Sequence, residues 1–149
     1  MSASDRAKLV GINHVALEVD DVGAALEFYG RLCEFGLRSR SERAAFIDIG
    51  DQFVALMQAS GNGSDGARHF GLVVDDKDTA RRALEAAGAH VFPGRRLDFL
   101  DPFGNRVEVV QYDQIQFTKT RHVSRAMGLD LGKTPEALAE LRDKGIVED

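Results

Sequence analysis

Two stretches of the chain are near copies, His14-Val-Ala-Leu-Glu-Val-Asp-Asp21 and His69-Phe-Gly-Leu-Val-Val-Asp-Asp76. Each opens with histidine, runs through alternating and continuous apolar residues, and closes on a double aspartate. The offset between them is constant along the stretch, which marks an internal repeat. The apolar run reads as a strand and the aspartates as the start of a helix, because their side-chain oxygens accept the free N–H groups of a first turn.

The residues that follow agree. Val22, Ala25, Leu26, Tyr29, Leu32 and Cys33 are spaced for one helical face, as are Thr79, Ala80, Ala83, Leu84 and Ala87 in the second copy. Gly36 and Gly88 are read as the glycines just beyond each helix. Three strand-like runs come next in each copy: 36–40, 44–49 and 52–58 in the first, 89–93, 97–100 and 106–112 in the second. Gly50-Asp51 and Asp101-Pro-Phe-Gly104 read as turns. Each copy is therefore βαβββ. The fold class is α+β: tandem βαβββ modules forming a curved mixed sheet around a cavity, with a C-terminal extension. One domain is expected over 9–149, with module one about 9–59, module two about 67–112 and the extension 113–149. Ser60–Gly66 is the linker. Within the extension, Thr134-Pro135 predicts a helix start that runs to about Gly145.

The chemistry follows from strand facing. Val15, Leu17 and Val19, like Phe70, Leu72 and Val74, are expected under the helices. His14 and His69 then point the other way, beside the small residues Ala16 and Gly71. In the last strands Val107 and Val109 face the helices, while Glu108, Val110 and Tyr112 face the cavity. Ala55 occupies the place equivalent to Glu108, so the repeat defines four related positions: His14, Ala55, His69 and Glu108. Two imidazoles and a carboxylate suit a divalent first-row metal (Fe, Mn, Ni, Co or Zn) and leave coordination positions open. The metal ligands are expected to be His14, His69 and Glu108, with Glu108 and Tyr112 as catalytic candidates. Tyr112 either donates a proton or ends the strand with its hydroxyl in water. Met57 is expected on the cavity face. His90 and His122 lack repeat partners and are expected to be structural or exposed, and Cys33 is expected in the core. Lys119, Arg121 and Arg125 read as a solvated patch.

These residues resemble the vicinal oxygen chelate superfamily of glyoxalases, bleomycin-resistance proteins and extradiol dioxygenases. Phe28-Tyr-Gly-Arg-Leu-Cys-Glu-Phe-Gly-Leu37 is similar to its first-helix signature, and Asp101-Pro-Phe-Gly-Asn-Arg-Val-Glu108 to its last-strand signature. The resemblance covers roughly residues 12–111. It implies the metal set His14, His69 and Glu108, and Lewis-acid or oxygen-activating chemistry on a small oxygen-chelating substrate. Ala55 departs from glyoxalase I, which has a glutamate there. Arg95-Arg-Leu-Asp-Phe-Leu100 departs from the serine- and tyrosine-bearing segment of the fosfomycin-resistance transferases. A binding protein of the bleomycin-resistance kind, without turnover, is the alternative reading.

Composition sets the remaining bounds. A chain of 149 residues with 44% hydrophobic and 29% charged residues suits one globular domain. A net charge of −5 argues against a nucleic-acid partner. No apolar run approaches the length of a membrane span. One cysteine leaves no intrachain disulfide and fits a reducing cytoplasm. The expected partners are a small-molecule substrate and a second copy of the chain, as a homodimer.

Overall fold

A computed structural model describes residues 5–59 and 66–146. The Ser60–Gly66 linker lies, except for Gly66, outside the described residues. The elements run β1 (Leu9–Val19), α1 (Val22–Leu32), β2 (Gly36–Arg40), β3 (Ala44–Ile49), β4 (Gln52–Gln58), β5 (His69–Val74), α2 (Lys77–Ala86), β6 (His90–Val91), β7 (Leu97–Leu100) and β8 (Arg106–Gln111). A 3-10 turn at Tyr112–Gln114 leads to α3 (Arg121–Ala126) and α4 (Pro135–Asp143). The eight strands form one mixed sheet in the order β2-β3-β4-β1-β5-β8-β7-β6. This is the expected α+β architecture with the βαβββ order twice over.

Local chemistry explains the helix starts. Asp21 accepts from the backbone N–H of Ala24, and Asp76 from those of Asp78 and Thr79. Such caps satisfy donors that a helix cannot satisfy itself. Thr134 caps α4 in the same way, with Pro135 at its first position. Gly88 adopts φ 70° beyond α2, a conformation costly for other residues. Gly36 plays no such part. α1 ends at Leu32, its cap Cys33 is extended, and Gly36 already belongs to β2.

The repeat predicts the sheet centre well. β1 and β5 pair antiparallel down the middle, with His14 opposite Gly71 and Ala16 opposite His69. The outer pairs are parallel and equivalent: Ala16 sits beside Ala55 as Gly71 sits beside Glu108. The alternation in β1 is not regular, however. Register shifts insert one extra residue between Leu9 and Gly11 and another between Ile12 and His14. Asn13 and His14 consequently both reach toward Gly71 on the face away from the helices.

Helix cover is uneven. α1 lies over β3 and β4, and α2 over β6 and β8. Val74, Leu97 and Val109 form the core beneath Ala80 and Leu84. The central seam gets less cover, so Val15, expected under a helix, is 41% exposed. Leu9 and Ile12 on the same strand are more exposed still. Cys33, expected in the core, is exposed, because α1 stops before bringing it onto the sheet.

The C-terminal extension packs on the open face. Phe117 and Tyr112 join Val10 and Val73 in a buried cluster, with Ile115, Leu129 and Leu131 around it. Lys133 locks this segment: its Nζ donates to the carbonyl oxygens of Tyr112, Ile115 and Phe117 and lies 3.5 Å from the Tyr112 ring centroid. α4 is tied to the first half by Arg38–Glu140 at 2.7 Å and Lys144–Asp48 at 2.8 Å. Val123 and Met127 of the extension remain exposed.

Candidate metal centre

Side chains from three strands converge on the open face. His14 Nε2 lies 3.2 Å from His69 Nε2 and 3.3 Å from Glu108 Oε1, and His69 Nε2 lies 3.5 Å from the same oxygen. Three ligand atoms each about 2.0–2.2 Å from a common ion stand roughly 3.0–3.6 Å apart, so the triangle has metal-site dimensions. Among the described residues this is the one group of three or more His, Cys, Asp or Glu side chains arranged to hold an ion.

Each imidazole is oriented through its other nitrogen. His69 Nδ1 donates to the Ala67 carbonyl at 2.8 Å, and Glu18 in turn accepts from the Ala67 N–H at 3.0 Å. His14 Nδ1 donates to Asn13 Oδ1 at 2.8 Å. The His14 ring also stacks on Phe53, with centroids 4.6 Å apart and planes 4° apart. With both Nδ1 atoms donating, both Nε2 lone pairs face a carboxylate oxygen. Placed this close, the three groups call for positive charge among them, carried by a proton or by an ion, and the donor set fits a divalent first-row ion.

Gly71 makes the convergence possible. A Cβ there would lie 2.2 Å from Asn13 Oδ1 and from His14 Nδ1. Its small size, read in the sequence as leaving room, is a requirement.

The carboxylates have a surrounding of their own. Arg96 Nη2 donates to Glu108 Oε1 at 2.9 Å and to Asp98 Oδ2 at 3.2 Å. Arg106 holds Asp98 Oδ2 through Nε at 3.0 Å, donates to the Gly66 carbonyl, and packs on the Phe92 ring. Burial pushes the Glu108 carboxyl up. Hydrogen bonds with His14 and His69 and the charge of Arg96 outweigh it and hold the group well below the usual carboxylate range.

The structure separates Tyr112 from this group. β8 ends at Gln111, and four residues of strand carry the next side chain roughly 13 Å beyond Glu108. The Tyr112 hydroxyl is 3.1 Å from Thr118 Oγ1 and accepts from the Lys119 N–H, and the residue is 5% exposed. Neither sequence alternative fits, since the hydroxyl is neither in the site nor in water. Ala55 stands on the expected rung but is 3% exposed beside an equally buried Ala16, so the fourth position is packed and not open. Met57 is half-buried, and His90 and His122 are exposed. Lys119 is half-buried near Phe117, while Arg121 and Arg125 are exposed.

Asn13, Phe53, Arg96 and Asp98 are parts of the site that the sequence reading missed. Asp98 was within reach: counting outward from the Asp101–Gly104 turn places it opposite Glu108, as observed. Asn13 was not, because strict alternation turns it away from His14.

A groove of about 700 Å³ extends from His69 along Phe70, Phe92, Leu100, Asn105 and Arg106. The cluster around Phe117 fills the open face at Val10 and Val73.

A family model described as Glyoxalase/Bleomycin resistance protein/Dioxygenase superfamily matches residues 11–109, and the chain belongs to that superfamily. Metallothiol transferase FosB of Bacillus licheniformis is 22% identical over 127 residues, covering 74% of this chain and 82% of that one. Among solved structures, a Streptomyces coelicolor methylmalonyl-CoA epimerase in complex with 2-nitronate-propionyl-CoA aligns with TM-score 0.55 and 20% identity, over 70% of this chain and 98% of the other. A methylmalonyl-CoA epimerase in complex with methylmalonyl-CoA and NH4+ gives TM-score 0.58 and 19% identity, over 74% and 100%. At these identities the structural likeness shows the fold. The residues matched by the family model end before the extension begins.

Proposed function

We propose that the chain is a metal-dependent enzyme that binds a small oxygen-chelating substrate at an ion held by His14, His69 and Glu108. The observation that carries this reading is the convergence of two Nε2 lone pairs and a carboxylate oxygen within 3.2–3.5 Å, with both Nδ1 atoms already engaged. A divalent ion, when bound, supplies Lewis-acid stabilisation of negative charge developing on substrate oxygen.

The chain's own residues do the rest. Ala67 and Asn13 fix the two rings so that neither must reorient during turnover. Phe92 and Leu100 give the groove apolar surface against which a substrate beside His69 can lie. Glu108 serves as a ligand. Ala55 supplies no carboxylate to accept a proton across from it, so the geometry favours polarisation and addition over the proton shuttling of glyoxalase I. Tyr112 is assigned to anchoring the extension. The relative named as a metallothiol transferase supports a metal-assisted reaction of this general kind.

The test is metal analysis of protein purified without added metal. One equivalent per chain is expected in the wild type, falling to a small fraction in His14→Ala and His69→Ala with the fold retained. Full occupancy in either variant overturns the assignment. A wild-type chain that stays metal-free but binds small aromatic ligands would instead support the binding-protein reading.

We also propose that residues 9–149 form one domain acting in the cytoplasm as a homodimer. No helix among the described residues is long and apolar enough to cross a membrane. The exposed strip Leu9, Ile12 and Val15 supports pairing of two copies.

A further inference from the structure

Arg96 and the ligand triangle address the same atom. Glu108 Oε1, the oxygen that faces both imidazoles, also accepts from Arg96 Nη2 at 2.9 Å. Taking His14, His69 and Glu108 as metal ligands, as proposed above, a dication about 2 Å from Oε1 falls within roughly 5 Å of that guanidinium nitrogen. Two cations at that spacing in a half-buried site repel each other strongly.

Arg96 has somewhere else to go. Asp98 lies directly across from Glu108 on β7 and is 2% exposed. Its Oδ2 receives both arginines, whereas its Oδ1 is buried and has no hydrogen-bond partner. A buried acceptor left unpaired is rare and costly, and the guanidinium fork can span both oxygens of one carboxylate. The Arg96 side chain is 57% exposed and borders a pocket of about 280 Å³ with Phe92, Gly94 and Asp98, so it has room to turn.

We propose that Arg96 is a latch that competes with the metal ion for Glu108, with Asp98 Oδ1 as the acceptor that receives it when the ion binds. Arg96 is thus a positioning residue that sets metal affinity. Asp98 couples the two events: metal entry completes its hydrogen bonding, and loss of Asp98 strands the displaced guanidinium.

The experiment is titration with Co²⁺ alone, read by calorimetry and by the visible absorption of the bound ion. Arg96 is largely exposed, so Arg96→Gln is expected to fold and to bind Co²⁺ about tenfold more tightly than wild type. Arg96→Lys keeps the charge and is expected to stay close to wild type. Asp98→Asn is expected to weaken binding, and to do so by a clearly smaller factor when combined with Arg96→Gln. A purely structural role for Arg96 would not produce tighter binding on its removal. Equal or weaker binding by Arg96→Gln, with wild-type binding still abolished by His14→Ala, overturns the latch alone. Wild-type binding that is insensitive to His14→Ala overturns the metal-site reading beneath it.

Discussion

Gly71→Ala tests the geometry on which the site depends. The new Cβ would meet Asn13 Oδ1 and His14 Nδ1 at 2.2 Å and His14 Cε1 at 2.3 Å. To reach ordinary contact near 3.5 Å the imidazole must retreat by roughly 1.2 Å. It cannot do so freely, because Phe53 is stacked on the ring and Gly71 is hydrogen-bonded within the sheet centre. Overpacking of this kind costs about 1–3 kcal/mol. It also moves one ligand out of the triangle, so metal affinity should fall by at least about a hundredfold, the upper range for disturbing a ligand's support. Urea unfolding followed by circular dichroism gives the first quantity, and calorimetric Zn²⁺ titration the second. Gly30→Ala is the control: a Cβ there meets nothing within 4 Å, and the helix interior should gain about 0.5–1 kcal/mol. A Gly71→Ala protein within about 0.5 kcal/mol of wild type and with unaltered Zn²⁺ affinity would refute the extra residue in β1 that brings Asn13 and His14 together.

Lys133→Met should release the extension, because three carbonyl oxygens lose their donor; faster amide exchange across 113–134 and a loss of about 1–3 kcal/mol are expected, and unchanged exchange would contradict the lock. Burial pulls the Lys133 ammonium down to about 8 from the ordinary 10.5, with Asp113 and Asp51 opposing. Between pH 8 and 10.5 the unfolded chain therefore holds this proton more tightly. The residue's contribution to stability grows with pH across that window, and the gap between wild type and Lys133→Met in urea melts should widen from pH 8 to 10. Ala55→Glu puts a carboxylate at a 3% exposed position and should lower the melting temperature without metal, with recovery on adding Zn²⁺ if the new side chain reaches the ion; no recovery would place Ala55 outside ligand range. Native protein should show little or no turnover of the methylglyoxal–glutathione hemithioacetal, and efficient turnover would overturn the reading of Ala55. Light scattering at micromolar concentration should give a dimer, and a monomer would exclude pairing through the Leu9–Val15 strip.

The repeat made the centre of this protein legible. Two stretches with the same apolar order had to form equivalent strands, and their last strands had to pair in equivalent registers, which the Ala16–Ala55 and Gly71–Glu108 rungs bear out. The strands at 36–40, 44–49, 52–58 and 97–100 follow from turn residues that leave little freedom between them. What escaped was whatever breaks a period. An extra residue in β1 changes no composition signal, so Asn13 stayed hidden. Val15 looked like core because apolar alternation reports a face and not whether a helix covers it. Tyr112 was assigned by continuing β8 one residue past its end. The extension packs through Ile115, Phe117, Leu129 and Leu131, but nothing in its sequence announces Lys133 as the residue that ties it down.

The two imidazoles are steered by different kinds of partner, and this gives the two halves unequal tolerance to drift. His69 takes its orientation from a main-chain carbonyl at Ala67, which every amino acid carries, so replacement of that residue leaves the acceptor in place. His14 takes its orientation from the side chain of Asn13, which a single codon change removes. A lineage of this chain can therefore lose the hydrogen bond that orients the His14 ring through one substitution, with only the Phe53 stack left to hold it. In the second half, alignment is lost only through a change that moves the backbone, and the first half is where altered metal preference would most readily arise.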